Sequence, residues 1–197
     1  MKESLSWATT RFKALARETT NFANLMGEME FDLRLLGEMH PFLAKSTAVE
    51  LAYRAAIGLG RHGHKPGVHL SSSQSEHEKD VLLWEEAADE ASAQLDFHKV
   101  TEDAAEAIAL VFASVANGWT ILRRLQRWEF ADWLLVDREN SRVVTEVSGV
   151  DATDTGGGRL REKILQVAKC TASIIKVACV VELQPPRLSM NITSNAS

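Results

Sequence analysis

Cysteine is nearly absent from this chain: of 197 residues only Cys170 and Cys179 carry thiols, with neither a CxxC spacing nor a disulfide pattern. That excludes a disulfide-stapled scaffold, and a reducing compartment is expected. Long apolar runs are missing too. No window approaches the roughly 18 uninterrupted apolar residues of a membrane span, and the N-terminus lacks a signal-type stretch. A soluble, cytoplasmic protein with no membrane partner is therefore expected. Positive charge is not in surplus: 22 Lys and Arg stand against 27 Asp and Glu, a net charge of −5. Phosphate contacts depend on Lys and Arg, so this balance argues against a non-specific polyanion binder. The one glycine-rich run, Gly156-Gly157-Gly158, lacks the Lys-Ser/Thr pair of a P-loop, which removes nucleoside triphosphate hydrolysis by that motif.

What is present suffices for a core, since 45% of the residues are hydrophobic. Charge is also uneven. Residues 119–176 hold ten Lys/Arg against eight Asp/Glu, a local balance of +2, so acidity concentrates in the first half.

Leu5, Ala8, Phe12, Leu15, Phe22, Met26, Met29, Leu33 and Leu36 form a three-four stripe broken only by Thr19. This predicts one long helix, or two meeting near Gly27, packed on the protein's own core or used as a homodimer or protein-partner seam. Thr47 and Glu50 make a capping box for a helix over 48–59, with Gly60 as its stop. Residues 1–60 are thus a helical region. Residues 61–100 read as a loop-rich connector, with a Pro66-Gly67 turn and a polar run from Ser71 to Glu78. Within it, Val81–Trp84 suits a short buried strand and Glu85–Leu95 prefers helix.

From residue 101 the signals sharpen. Thr101 is expected to cap a helix whose first turn carries Glu102 and Asp103, and Asn117-Gly118 ends it. Three extended segments follow, 119–126, 131–137 and 142–149, whose short breaks predict an antiparallel meander. A glycine-rich loop over 151–158 leads to a helix over 159–172 and a β-branched strand over 174–183. Pro185-Pro186 stops that strand, and the tail from 185 to 197 is expected to be flexible. The fold class is α/β (α+β), with the order αβββαβ over 101–184.

Two carboxylates stand out. Asp132 opens the middle extended segment and Glu146 lies within the next, between apolar neighbours, where an unpaired charge is costly. On adjacent antiparallel strands they would share a face. The αβββαβ order with these two acids resembles the PD-(D/E)XK nuclease (restriction-endonuclease-like) superfamily over residues 102–183. The resemblance implies that Asp132 and Glu146 hold Mg²⁺ or Mn²⁺, with Glu106 as the extra acid on the preceding helix, and that the substrate is DNA or a related nucleic acid. Where the motif has its lysine, two residues after Glu146, this chain has Ser148. The superfamily is known to move that lysine onto the following helix. Lys163 fits, sharing a helix face with Arg159 and Gln166, which would help place the phosphate. Cys170 stands where the exonuclease-like pattern has an aromatic residue.

Other readings of these residues follow from their chemistry. Asp132 would cap a turn after Phe130, and Glu146 would pair with Arg123 or Arg124. Glu102, Glu106 and Asn117 would mark a helix's polar side. The Gly156–Gly158 run with Arg159 and Arg161 would cradle phosphate or be a solvated surface loop. His62, His64, His69 and His77 would bind Zn²⁺ or Ni²⁺, or be solvated loop residues. Of the five tryptophans, Trp7, Trp84, Trp119 and Trp133 are expected in the core and Trp128 partly exposed; base stacking is the other use of such residues. A catalytically degenerate nuclease fold serving in binding or assembly is the alternative function.

Overall fold

In the computed structural model, residues 29–74, 80–87, 95–151, 156–171 and 175–194 are described. Among these residues the protein is mixed α/β, with four helices and two mixed sheets. Its elements are β1 (Glu30–Asp32), α1 (Leu36–Met39), α2 (Lys45–Arg61), β2 (Val68–His69), β3 (Ser71–Ser72), β4 (Val81–Leu83), α3 (Phe97–Asn117), β5 (Thr120–Arg124), β6 (Trp133–Val136), β7 (Arg142–Val150), α4 (Gly156–Val167), β8 (Ile175–Leu183) and β9 (Pro186–Ser194). No described helix is long and apolar enough to cross a membrane.

The large sheet has the order β3-β9-β8-β7-β6-β5. Strands β5, β6 and β7 form the expected antiparallel meander, and β8 lies parallel to β7 after the α4 crossover. A small sheet, β1-β4-β2, sits beside it.

Helix α3 is the centre of the packing. Every residue from Asp103 to Ala113 is buried, because the helix lies between α2 and the large sheet and has no solvent face. Its alanines at 104, 105, 107, 109 and 113 leave room for both neighbours to approach closely. One continuous cluster runs from Phe31 through α2 and α3 to Leu135, Val147, Val181 and Met190. A smaller cluster on the other side of the sheet joins Leu134, Val144 and Ala178 to α4 through Leu160, Ile164 and Val167.

Several local expectations are corrected. Helix α3 begins four residues before Thr101; Asp96 caps it by accepting from the His98 N–H, and Thr101 instead donates to the Phe97 carbonyl within the helix. Gly118 ends it at φ 69°, as the sequence suggests. Helix α2 spans 45–61 with no side-chain cap, and Glu50 pairs with Arg54 rather than closing a capping box. The Gly156–Gly158 run forms the first turn of α4, which ends at Val167. The connector contains β2 and β3 as well as β4, and Leu70 and Leu82 bury in the main cluster, so the core runs through it without a break. Residues 85–87 are not helical.

The tail is not frayed: β9 pairs antiparallel with the whole of β8, because Gln184-Pro185 makes a tight turn instead of a stop. Of the N-terminal stripe, Met29 to Leu36 passes through β1 and a 3₁₀ turn before α1 begins. The rest of the stripe, Trp7, His77 and most of the 85–95 helix lie outside the described residues.

Candidate functional site

The site forms where β6 stops and β7 continues. Trp133 is paired with Thr145, the last β6-to-β7 pairing, while β7 runs on to Val150 against β8. Beyond that point the β7 edge facing β6 has lost its partner strand. Two carboxylates take its place: Asp132 Oδ2 accepts from the Val147 N–H at 2.8 Å, and Glu102 Oε2 accepts from the Gly149 N–H at 3.1 Å. Buried backbone donors need such partners. Gly149 lets α3 come this near, since a Cβ there would fall 2.3 Å from the Thr101 carbonyl oxygen. Asp132 therefore anchors the neighbouring strand rather than capping its own turn.

Strand alternation turns Val144, Glu146 and Ser148 to the α4 side. Glu146 is 2% exposed, and Lys163 reaches down from α4 to place Nζ 2.5 Å from its Oε1 and 3.4 Å from Gln166 Oε1. Burial pushes the Glu146 pKa up, the Asp132 carboxylate adds to this, and the Lys163 ammonium opposes both. A lysine amine against a buried carboxylate is a charge-assisted pair when both are ionised, and it is written as ammonium and carboxylate. Arg123 and Arg124, the other partners considered for Glu146, bind Glu129 and Glu106 instead.

Glu106 is buried on α3, and Arg124 meets its Oε1 at 2.7 Å. Burial lifts its pKa to about 7 in spite of Arg124, with Asp132 and Asp103 contributing in the same direction. Glu106 and Asp132 thus feel one another's charge. Ser148 does not face open solvent: its hydroxyl accepts from Arg159 Nε at 3.0 Å and lies 3.4 Å from Glu102 Oε1. Arg159 also pairs with Glu162.

The structure thus brings together Asp132, Glu146, Lys163 and Gln166, adds Glu106 at the rim, and ties Arg159 and Ser148 to carboxylates. Glu102, taken from sequence as part of a polar helix face, is a strut of the site. Its i, i+4 relation to Glu106 was visible; that β7 would need an acceptor there was not.

A divalent cation can be tested against these residues. Glu146 Oε2 and Glu106 Oε2 are buried acceptors with no hydrogen-bond partner, which suits an added cation. Among the described residues, however, no group of three or more His, Cys, Asp and Glu side chains is arranged to hold one. The open oxygens belong to two carboxylates, fewer than a dedicated protein cage supplies, so a hard ion here would need water and phosphate to complete its shell.

Among the described residues the histidines form no metal-holding group of three, although the His62 and His64 rings lie 6.3 Å apart. His62 binds Asp151, His64 the Leu183 carbonyl and His69 the Asp80 carbonyl. Trp84, Trp119 and Trp133 are buried, and Trp128 is 73% exposed.

Comparison of the chain with known families, with curated proteins and with solved structures returned no match.

Proposed function

We propose that the chain is a metal-dependent phosphodiesterase of the PD-(D/E)XK type acting on DNA or a related nucleic acid. The observation that carries this reading is the reach of Lys163 to Glu146. A lysine beside that acid is what the motif requires, and Ser148 cannot supply it. The observed order α3-β5-β6-β7-α4-β8, with Asp132 at the head of the second strand and Glu146 in the third, supports the same reading.

Asp132 and Glu146 would hold Mg²⁺ or Mn²⁺, with Glu106 close by. The ion would polarise the scissile phosphate and acidify a bound water. The Lys163 ammonium offsets charge that develops on the phosphate, and Gln166 helps orient Lys163. Asp132 and Glu102 hold the β7 edge in place, so Glu146 is presented on a rigid strand.

The test is incubation of purified protein with linear and circular DNA and Mg²⁺ or Mn²⁺. Hydrolysis is expected in wild type and a fall of roughly a hundredfold or more in Glu146→Gln and Lys163→Met. Equal inertness of wild type and Glu146→Gln at high protein concentration rejects the reading.

A second reading, a nuclease fold retained for binding or assembly, is favoured by one feature: Arg159, the expected phosphate ligand, is engaged by Ser148 and Glu162. Calorimetry separates the two, because the hydrolytic reading requires Mn²⁺ binding that Asp132→Ala abolishes.

A further inference from the structure

The β5–β6 connection closes where the Leu125 N–H donates to the Asp132 carbonyl at 2.8 Å, so residues 126–131 form a loop standing directly on a candidate site residue. Its tip is ordered. Gln126 and Glu129 bond each other's backbone N–H groups, and Arg123 clamps Glu129 through two contacts of 2.6 and 2.9 Å. The Arg123 contact, with the Gln126 N–H, holds the Glu129 carboxyl well below the usual range, at about 2, so it stays ionised at any working pH.

This rigid turn displays aromatic surface instead of hiding it. Trp128 is 73% exposed and Phe130 43%, and Phe130 sits at φ 61°, a left-handed conformation unfavourable for a bulky side chain. Two cations lie by the turn. Lys169 Nζ lies 5.9 Å from the Phe130 ring centre, and Arg127, beside Trp128, makes no ion pair with any described residue. Residues 123–131 hold three arginines and one acid in a chain of net charge −5.

An exposed indole on a stiff turn, with Arg127 next to it in the chain, Lys169 near Phe130 and the turn standing on Asp132, suits one ligand chemistry: an unpaired base stacked on the ring, with its flanking phosphates on the cations. A hydrophobic protein partner would not require the cations.

We infer that the Trp128–Phe130 turn is a stacking platform for an unpaired stretch of nucleic acid, delivering the strand toward Asp132 and Glu146. The inference rests on the hydrolytic reading for its choice of substrate, but it is tested by binding alone.

The experiment is fluorescence anisotropy with an oligothymidylate of about 12 nucleotides in EDTA, using full-length wild type, Trp128→Ala, Trp128→Phe and Arg127→Ala. Trp128→Ala is expected to weaken binding roughly tenfold or more and Trp128→Phe to restore most of it. Arg127→Ala should lower the salt dependence, which Trp128→Ala leaves unchanged. A blunt duplex should respond less to Trp128→Ala than the single strand does. An oligouridylate arm separates RNA from DNA as the source of the unpaired base, and dependence on Trp128 with either strand supports the platform.

Equal binding by wild type and Trp128→Ala overturns the inference. So does failure of wild type to bind either strand, or a concentration-dependent dimer that Trp128→Ala dissolves. Trp128-dependent binding without hydrolysis sinks the nuclease reading alone; hydrolysis with binding indifferent to Trp128 sinks the platform alone. Because Trp128 is so exposed, its substitutions should leave the melting temperature almost unchanged.

Discussion

The two faces of the large sheet are built to different ends. Toward α3, residues 133, 135, 143, 147, 177, 179 and 181 are all apolar and merge into the main core. Toward α4, Leu134, Val144 and Ala178 form a small apolar patch, and the same strand then presents Glu146 and Ser148. The first face is a closed core whose job is to hold the strands. The second face stops being a core midway along β7, where the candidate site begins. Burying charge is costly, so a fold that keeps Glu146 inside must supply a cation to match it, and Lys163 does so.

The largest expected effect breaks the polar face. Lys163→Met leaves Glu146 buried without its partner and should cost about 4 kcal/mol at pH 8 in metal-free urea unfolding. Adding Glu146→Gln should recover most of that loss. A double variant as unstable as the single one would mean that the pair has no mutual dependence.

Next comes a contrast across one strand. Leu135→Ala empties a fully buried site in the main core and should cost about 3 kcal/mol, whereas Leu134→Ala, in the small cluster, should cost distinctly less. Denaturant midpoints of the two variants measure this, and equal losses would remove the distinction between the faces.

The smallest effect tests how the closed side treats its own titratable group. His40 is wholly buried, donating through Nε2–H to the Leu110 carbonyl at 3.0 Å and accepting the Ile121 N–H at Nδ1. It must be neutral to do both. Burial lowers its pKa from 6.5 to about 4, the Leu110 carbonyl only partly opposing this. The folded state therefore resists a proton that the unfolded chain accepts. His40's contribution is complete above pH 6.5 and is lost as pH falls from 6.5 to 4, by at most about 3 kcal/mol. Stability measured across that window should fall less in His40→Gln than in wild type.

How far the residues could be read in advance differed with the range of the interaction that decides them. Alternation in Val143–Val147 is local, so the strand and the two sides of Glu146 were legible. The spacing of Arg159, Lys163 and Gln166 is also local, and it picked out the helix face that meets the sheet. Helix starts were less legible. Asp96 and Thr101 both suit a cap, and burial of Val100, with Arg61 stacked over the half-exposed Phe97 ring at 3.8 Å, favours the earlier start. The Pro185-Pro186 pair read as a stop because proline cannot donate to a sheet; instead Pro185 lies in the turn and Pro186 is the first residue of β9, opposite Leu183.

By itself the sequence determined the element order from α3 to β8, the burial of Glu146 among apolar neighbours and the absence of a lysine at Ser148, since each depends on residues close together in the chain. Only the tertiary structure decided that Lys163 would meet Glu146, that Asp132 and Glu102 would complete the open edge of β7, and that Arg159 would turn to Ser148. Those contacts join residues 11 to 47 positions apart. No local propensity encodes them, because they exist only once the sheet has ended one strand early and two helices have closed over the gap.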